Sequence, residues 1–136
     1  MKRPAREVKT KDFMEKIILN EWSGILDYNR SYKQLLLRDE RKIGDEEFEN
    51  FDILFEGVFY LEMPTVSSKV TALYEGNEDD KKYIEERYFE KIHWYGGATA
   101  FILEINHKKY YIGANSFVIS TNNLMPWQTS IIGPKQ

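Results

Sequence analysis

Between Phe51 and Met63 the residues Phe51, Ile53, Phe55, Gly57, Phe59, Leu61 and Met63 fall on every second position, and all but the glycine are apolar. A period of two places such residues on one face of a β-strand. Burying the six large side chains is worth roughly 9–18 kcal/mol at about 1.5–3 kcal/mol each, before chain entropy. Folded domains keep a net stability of only about 5–15 kcal/mol. The chain therefore has to bury this stripe, and the stripe is first of all core. Thirteen residues exceed the common strand length of about 5–6, and Gly57 stands at the midpoint. The pattern predicts one long strand over 51–63, curled at Gly57, with a tight hairpin at Glu56-Gly57 as the alternative.

The other segments fall around this strand. "KTKDFMEKIILNEW" has helical spacing with Thr10 as N-cap, which predicts a helix over about 10–22 stopped by Gly24. "ILDYNRSYKQLLLRD" reads as a hairpin, with strands near 25–28 and 31–38 around Asn29-Arg30. Pro64 ends the long strand, and "KVTALYEG" is another strand. Asn77 caps an acidic first turn, which predicts a second helix over about 78–94 closed by Gly96-Gly97. "TAFILEI", "KYYIGA" and "SFVIST" read as a C-terminal β-meander with turns at 106–108 and 114–115.

The order predicts an α+β fold: one domain over 1–136, with a mostly antiparallel, strongly curved sheet packed against two helices. Residues 1–8 are expected to be flexible. The tail over 122–136 carries Leu124, Met125, Trp127, Ile131 and Ile132 and is expected to be pinned to the body.

Composition removes several functions. The chain has no cysteine, so it has no disulfide, thiolate nucleophile or Cys-based zinc site. Its first 13 residues lack the apolar run of a secretory signal, and no stretch approaches the roughly 20 apolar residues of a membrane-spanning helix. A cytoplasmic location and no membrane partner are the expectations. His93 and His107 are the only histidines, without metal-ligand spacing. "GNEDD" lacks the alternating frame of a calcium loop. Within the long strand Asp52 and Glu56 would lie about 13 Å apart and Glu56 and Glu62 about 20 Å. Paired glycosidase carboxylates stand at about 5–9.5 Å. No catalytic residue, metal ligand or cofactor is expected.

Charge is uneven: the formal net charge is −3, residues 39–52 hold seven acidic and two basic side chains, and residues 75–91 hold seven and four. This gives nucleic acid little attraction despite the interleaved "HWYGG" and "KKYYIG". It suits a protein partner, basic in character, held by Asp45, Glu46, Glu47 and Glu49 together with the aromatic anchors Trp94 and Tyr111. A non-catalytic protein-binding module of the regulatory or toxin-neutralising kind is the first expectation, and self-association is compatible with it. The alternative is a small-molecule or lipid site between curved sheet and helix, lined by Phe55, Phe59 and Leu61, with Tyr60 or Trp94 at its mouth.

Overall fold

In this computed structural model the structure describes residues 6–7, 22–42, 44–64, 68–125 and 128–129. The helix expected over 10–22 falls on residues outside that set, except for its last. Trp22 opens a strand, and Gly24, taken as the stop of that helix, sits inside the same strand opposite Arg38.

The described chain forms β1 (Arg6–Glu7), β2 (Trp22–Asn29), β3 (Gln34–Lys42), β4 (Phe48–Glu56), β5 (Tyr60–Glu62), β6 (Ser68–Glu75), α1 (Glu78–Glu85), β7 (Thr99–Ile105), β8 (Lys108–Ala114) and β9 (Ser116–Asn122). A 3-10 turn covers Trp94–Gly96. All strand pairs are antiparallel, in the order β1-β9-β4-β3-β2-β6-β7-β8-β5. The order has two ends, β1 and β5, and does not describe a closed barrel. No helix among the described residues is long and apolar enough to cross a membrane.

The long strand expected over 51–63 is two strands in different halves of this order. β4 lies between β3 and β9, whereas β5 pairs with β8. Gly57 makes the break at φ +66, and a Cβ there would stand 2.5 Å from the Asn115 Nδ2. The alternation also slips. Phe51, Ile53 and Phe55 point to the core, but the next core side chain is Val58, three residues on rather than two. Phe59 then turns to the other face, and Leu61 is 37% exposed. The bend therefore changes the face as well as the direction. Glu56-Gly57 does not close a hairpin either, since β4 and β5 do not pair.

The expected meander breaks in the same place. β7 and β8 form a hairpin through Asn106 and His107, both at positive φ (51 and 64) as a two-residue turn of the favoured hand requires. β9, however, leaves β8 and pairs with β4 and β1. Its departure at Asn115 runs beside the break at Gly57: the Asn115 amide donates to the Glu56 carbonyl, and the Phe59 amide to the Gly113 carbonyl, each at 2.9 Å. Two chain segments cross between the halves side by side and satisfy each other's backbone.

The core lies between these halves. Leu35, Ile53, Phe55 and Phe117 meet Leu73, Phe101, Leu103 and Ile112, with Phe55 and Phe117 edge-on to Phe101 at 5.1 and 5.7 Å. Among the described residues the expected strongly curved layer under two helices is not matched: two sheet halves bury each other, and the one α-helix, α1, packs on the far side of β7 and β8. Between β2 and β3 the hairpin is as expected, but its turn is the longer stretch 30–33, ending at Lys33 with φ 55. The Val58 amide donates to the Lys33 carbonyl, which sets this turn against the Gly57 corner.

The helix expected over 78–94 stops at Glu85. Its start is as the sequence predicts: Asn77 and Asp80 exchange side-chain-to-backbone hydrogen bonds at 3.0 and 2.9 Å, a capping box. At the end, the Ile84 carbonyl accepts from the Arg87 and Tyr88 amides, and the Arg87 guanidinium covers the Tyr83 carbonyl. Tyr88 and Trp94 then pack on Phe59, with ring centroids 5.4 and 6.2 Å away, and Trp94 Nε1 donates to Glu85. Those tertiary contacts fold residues 88–93 back against the corner, where a continuing helix would have carried them off. Gly97, at φ 111, ends the 3-10 turn.

Candidate functional site

The outer face of β5, β8, β7 and β6 carries a row of phenols and carboxylates under α1. Glu62 accepts from the Tyr60 hydroxyl at 2.8 Å and from the Tyr83 hydroxyl at 2.8 Å. The Tyr74 hydroxyl donates to Glu104, and Lys109 pairs with the buried Asp80 at 3.0 Å. Tyr83 is stacked between Tyr111, with centroids 3.9 Å apart, and the Arg87 guanidinium at 3.4 Å. Register explains the row, since Glu62, Tyr111, Ile102 and Tyr74 are cross-strand neighbours.

These surroundings keep the phenols protonated. Burial, reinforced by the hydrogen bond to Glu62, pushes Tyr60 up to about 12. Burial and then Glu104 push Tyr74 up, the hydrogen bond to Glu62 raises Tyr83, and burial followed by the Asp80 charge raises Tyr111. A phenol held this way stays a hydrogen-bond donor near neutral pH and does not act as a base or nucleophile there. Ionisation is easier in the unfolded chain, whose tyrosines titrate near 10. The stability these four contribute is complete below pH about 10 and is lost as pH rises through their raised folded values, for Tyr60 about 12. In an alkaline titration their phenolate absorbance should rise together with loss of the β-sheet circular dichroism. Independent ionisation of all four while the fold persists would contradict this packing.

Beside that row lies a pocket of about 240 Å³ lined by Phe59, Tyr88, Ile92 and Ala98, with Glu90, Lys91, His93, Gly96 and Asn115 completing its wall. Gly113 permits the Phe59 wall: a Cβ on it would come within 2.6 Å of the Phe59 ring. The loop that frames the pocket carries two large side chains in water. Phe89 is 83% exposed and Tyr95 99%. Scattered exposed hydrophobics are ordinary, but these two rings belong to the one loop that lines the concavity, and exposed apolar groups gathered at a recess are of the kind that marks interaction sites. Among the described residues no three His, Asp or Glu side chains gather as a metal site would need.

The structure separates the residues that the sequence grouped. Phe55 is fully buried in the core, Leu61 is at the edge strand, and Tyr60 is tied to Glu62. Of the five residues proposed around a ligand, Phe59 alone lines this pocket; Trp94 packs beside it between Phe59 and α1. Tyr111, taken as an anchor, is buried under Tyr83. Asp45, Glu46 and Glu47 are exposed in the β3–β4 connection, and Glu49 follows in β4. That connection is eight strand steps from Glu56, about 26 Å at ~3.3 Å per residue, so it stands at the opposite end of the sheet from the pocket. The second acidic segment is the nearer one: Glu85, Glu86 and Glu90 are exposed on the α1 side of the pocket loop. Tyr88, Phe89, Tyr95 and Asn115 were not singled out from the sequence. The early end of α1 at Glu85 frees Tyr88 and Phe89 from helical packing.

No family model matches the chain, and no curated protein or solved structure matches it.

Proposed function

We propose that the chain is a non-catalytic protein-binding module, of the regulatory or toxin-neutralising kind, whose contact face is the pocket loop 88–98. The observation that carries this is the exposure of Phe89 and Tyr95, each adjacent in the chain to residues that line the concavity with Phe59 and Tyr88. Interfaces draw their binding energy from a few aromatic anchors in desolvated pockets, ringed by polar groups. Glu85, Glu86, Glu90 and Lys91 provide such a ring here.

A small-molecule site has less support. The concavity is below the ~300–1,000 Å³ of typical ligand pockets, and it suits an inserted side chain better. The test is capture of the partner from cell extract by the wild-type chain and by Phe89→Ala/Tyr95→Ala. The double variant should retain the melting temperature, because both rings are solvated, and lose the captured protein by about thirtyfold or more, the scale of a hot-spot truncation. Capture unchanged within about twofold would remove the loop from the contact.

A further inference from the structure

One buried carboxylate in the fold is only half used. Asp39, in β3, is 1% exposed. Its Oδ2 accepts from the Arg41 Nε at 2.9 Å, whereas its Oδ1 is buried with no hydrogen-bond partner. A buried carboxylate oxygen without a donor is costly, so Asp39 has capacity for one more.

Arg41 does not close the pair. A guanidinium can meet a carboxylate with two parallel bonds, one to each oxygen, and Arg38 does so with Asp52. Arg41 gives one nitrogen to one oxygen, and its other two nitrogens bond nothing among the described residues. Its side chain is 38% exposed, and its guanidinium carbon lies 4.2 Å from the centroid of the Phe51 ring. Register accounts for the arrangement. Asp39 is directly opposite Phe51 across β3 and β4, and Arg41 is two residues on along the same face. Phe51 packs against the core, which fixes its ring. A buried carboxylate beside a fixed aromatic ring supplies the two contacts that distinguish a guanidinium from other cations.

The surroundings favour cations as well. Residues 39–52 carry seven acidic side chains against two basic ones. Asp39 is three residues from the end of β3 at Lys42, about 10 Å at ~3.3 Å per residue, and the connection beyond exposes Asp45, Glu46 and Glu47. Their field draws basic groups to this end of the sheet.

We infer that Asp39 and Phe51 form a binding site for an arginine side chain of a basic peptide segment, and that Arg41 is its internal, displaceable occupant. An incoming guanidinium that bonds both Asp39 oxygens replaces the single bond of Arg41, whose side chain swings out into water. The acidic connection holds the basic residues that flank the incoming arginine. This site goes beyond the reading of loop 88–98 and stands at the other end of the sheet from it.

Calorimetric titration of the full chain tests it, with a capped peptide Lys-Gly-Arg-Gly-Lys, the same peptide with lysine in place of its arginine, and methylguanidinium. The wild-type chain should bind the arginine peptide with a Kd of about 1 mM or tighter. Arg41→Ala removes the internal competitor and should tighten that binding by about tenfold or more. The lysine peptide should bind either chain about tenfold more weakly than the arginine peptide, because an ammonium cannot fork across two oxygens. Asp39→Asn/Arg41→Gln removes both charges of the pair and should keep the fold, as judged by its melting curve, while it binds the two peptides within about twofold of each other. Equal affinity of the wild type and Arg41→Ala for the arginine peptide would overturn the role of Arg41. An arginine peptide no tighter than methylguanidinium on Arg41→Ala would overturn the basic segment as the ligand. No binding of either to Arg41→Ala up to about 10 mM would overturn the site and leave Asp39 Oδ1 to water.

Discussion

Replacing Arg38 by methionine is expected to lower stability by about 3–5 kcal/mol, the cost of breaking a buried ion pair from one side. For a chain of this length that is roughly 10–20 °C in melting temperature. The Arg38 guanidinium grips Asp52 with two hydrogen bonds, Nε to Oδ1 at 2.7 Å and Nη2 to Oδ2 at 2.9 Å, and both residues are buried. Asn122 also donates to Asp52 at 2.7 Å, and Asn50 bridges Asn122 to the Leu124 carbonyl. The remaining Arg38 nitrogen donates to the Gln128 carbonyl at 2.7 Å. One substitution thus leaves a buried carboxylate without its cation and the Gln128 carbonyl without the Arg38 donor. Arg38→Met combined with Asp52→Leu should recover a large part of the loss, because apolar replacement of both partners removes the charge that was stranded. Thermal denaturation followed by circular dichroism decides the matter. A single variant that melts within about 2 °C of wild type would show that the pair is not buried as described.

Phe55→Ala is expected to cost about 3–5 kcal/mol, the range for deleting a buried ring where the surroundings cannot collapse. Phe55 is fully buried and meets Phe101 edge-on, and that contact joins the two sheet halves. Denaturant unfolding measures the loss as a fall in midpoint at unchanged slope. If Phe55 instead faced a ligand cavity, truncation would enlarge a space already open, and the cost would stay near or below about 1 kcal/mol.

What was legible in the sequence followed local rules. The Asn77 capping box, the Asn106-His107 turn and the three aromatic strands β7, β8 and β9 are each fixed by residues that are neighbours in the chain. What failed depended on contacts between distant segments. The stripe from Phe51 to Met63 keeps its period of two in the sequence, but its pairing changes at Gly57 because the bend at Asn115 lies beside it. Nothing within 51–63 records that. In the same way, Tyr83, Arg87, Tyr88 and Ile92 keep helical spacing past Glu85, while Phe59, far away in sequence, takes Tyr88 and Trp94 out of the helix.

The candidate site shares this history. The expected aromatic anchors are Trp94 and Tyr111; Trp94 packs on Phe59 beside the pocket, and Tyr111 is buried under Tyr83. Phe89 falls within the predicted helix over 78–94, where it would be core, and Tyr95 falls just past its end. The signal that could have exposed them is the run "RYFEKIHWYGG" itself, in which aromatic residues are too frequent for one buried helical face.

Amide hydrogen exchange on the chain, free and saturated with its captured protein, locates the proposed contact at loop 88–98 or elsewhere. Exchange should slow over 88–98 and at Asn115 on binding, and remain unchanged over 44–47 at the other end of the sheet. Slowed exchange at 44–47 with none over 88–98 would contradict the account and return the contact to the acidic connection between β3 and β4.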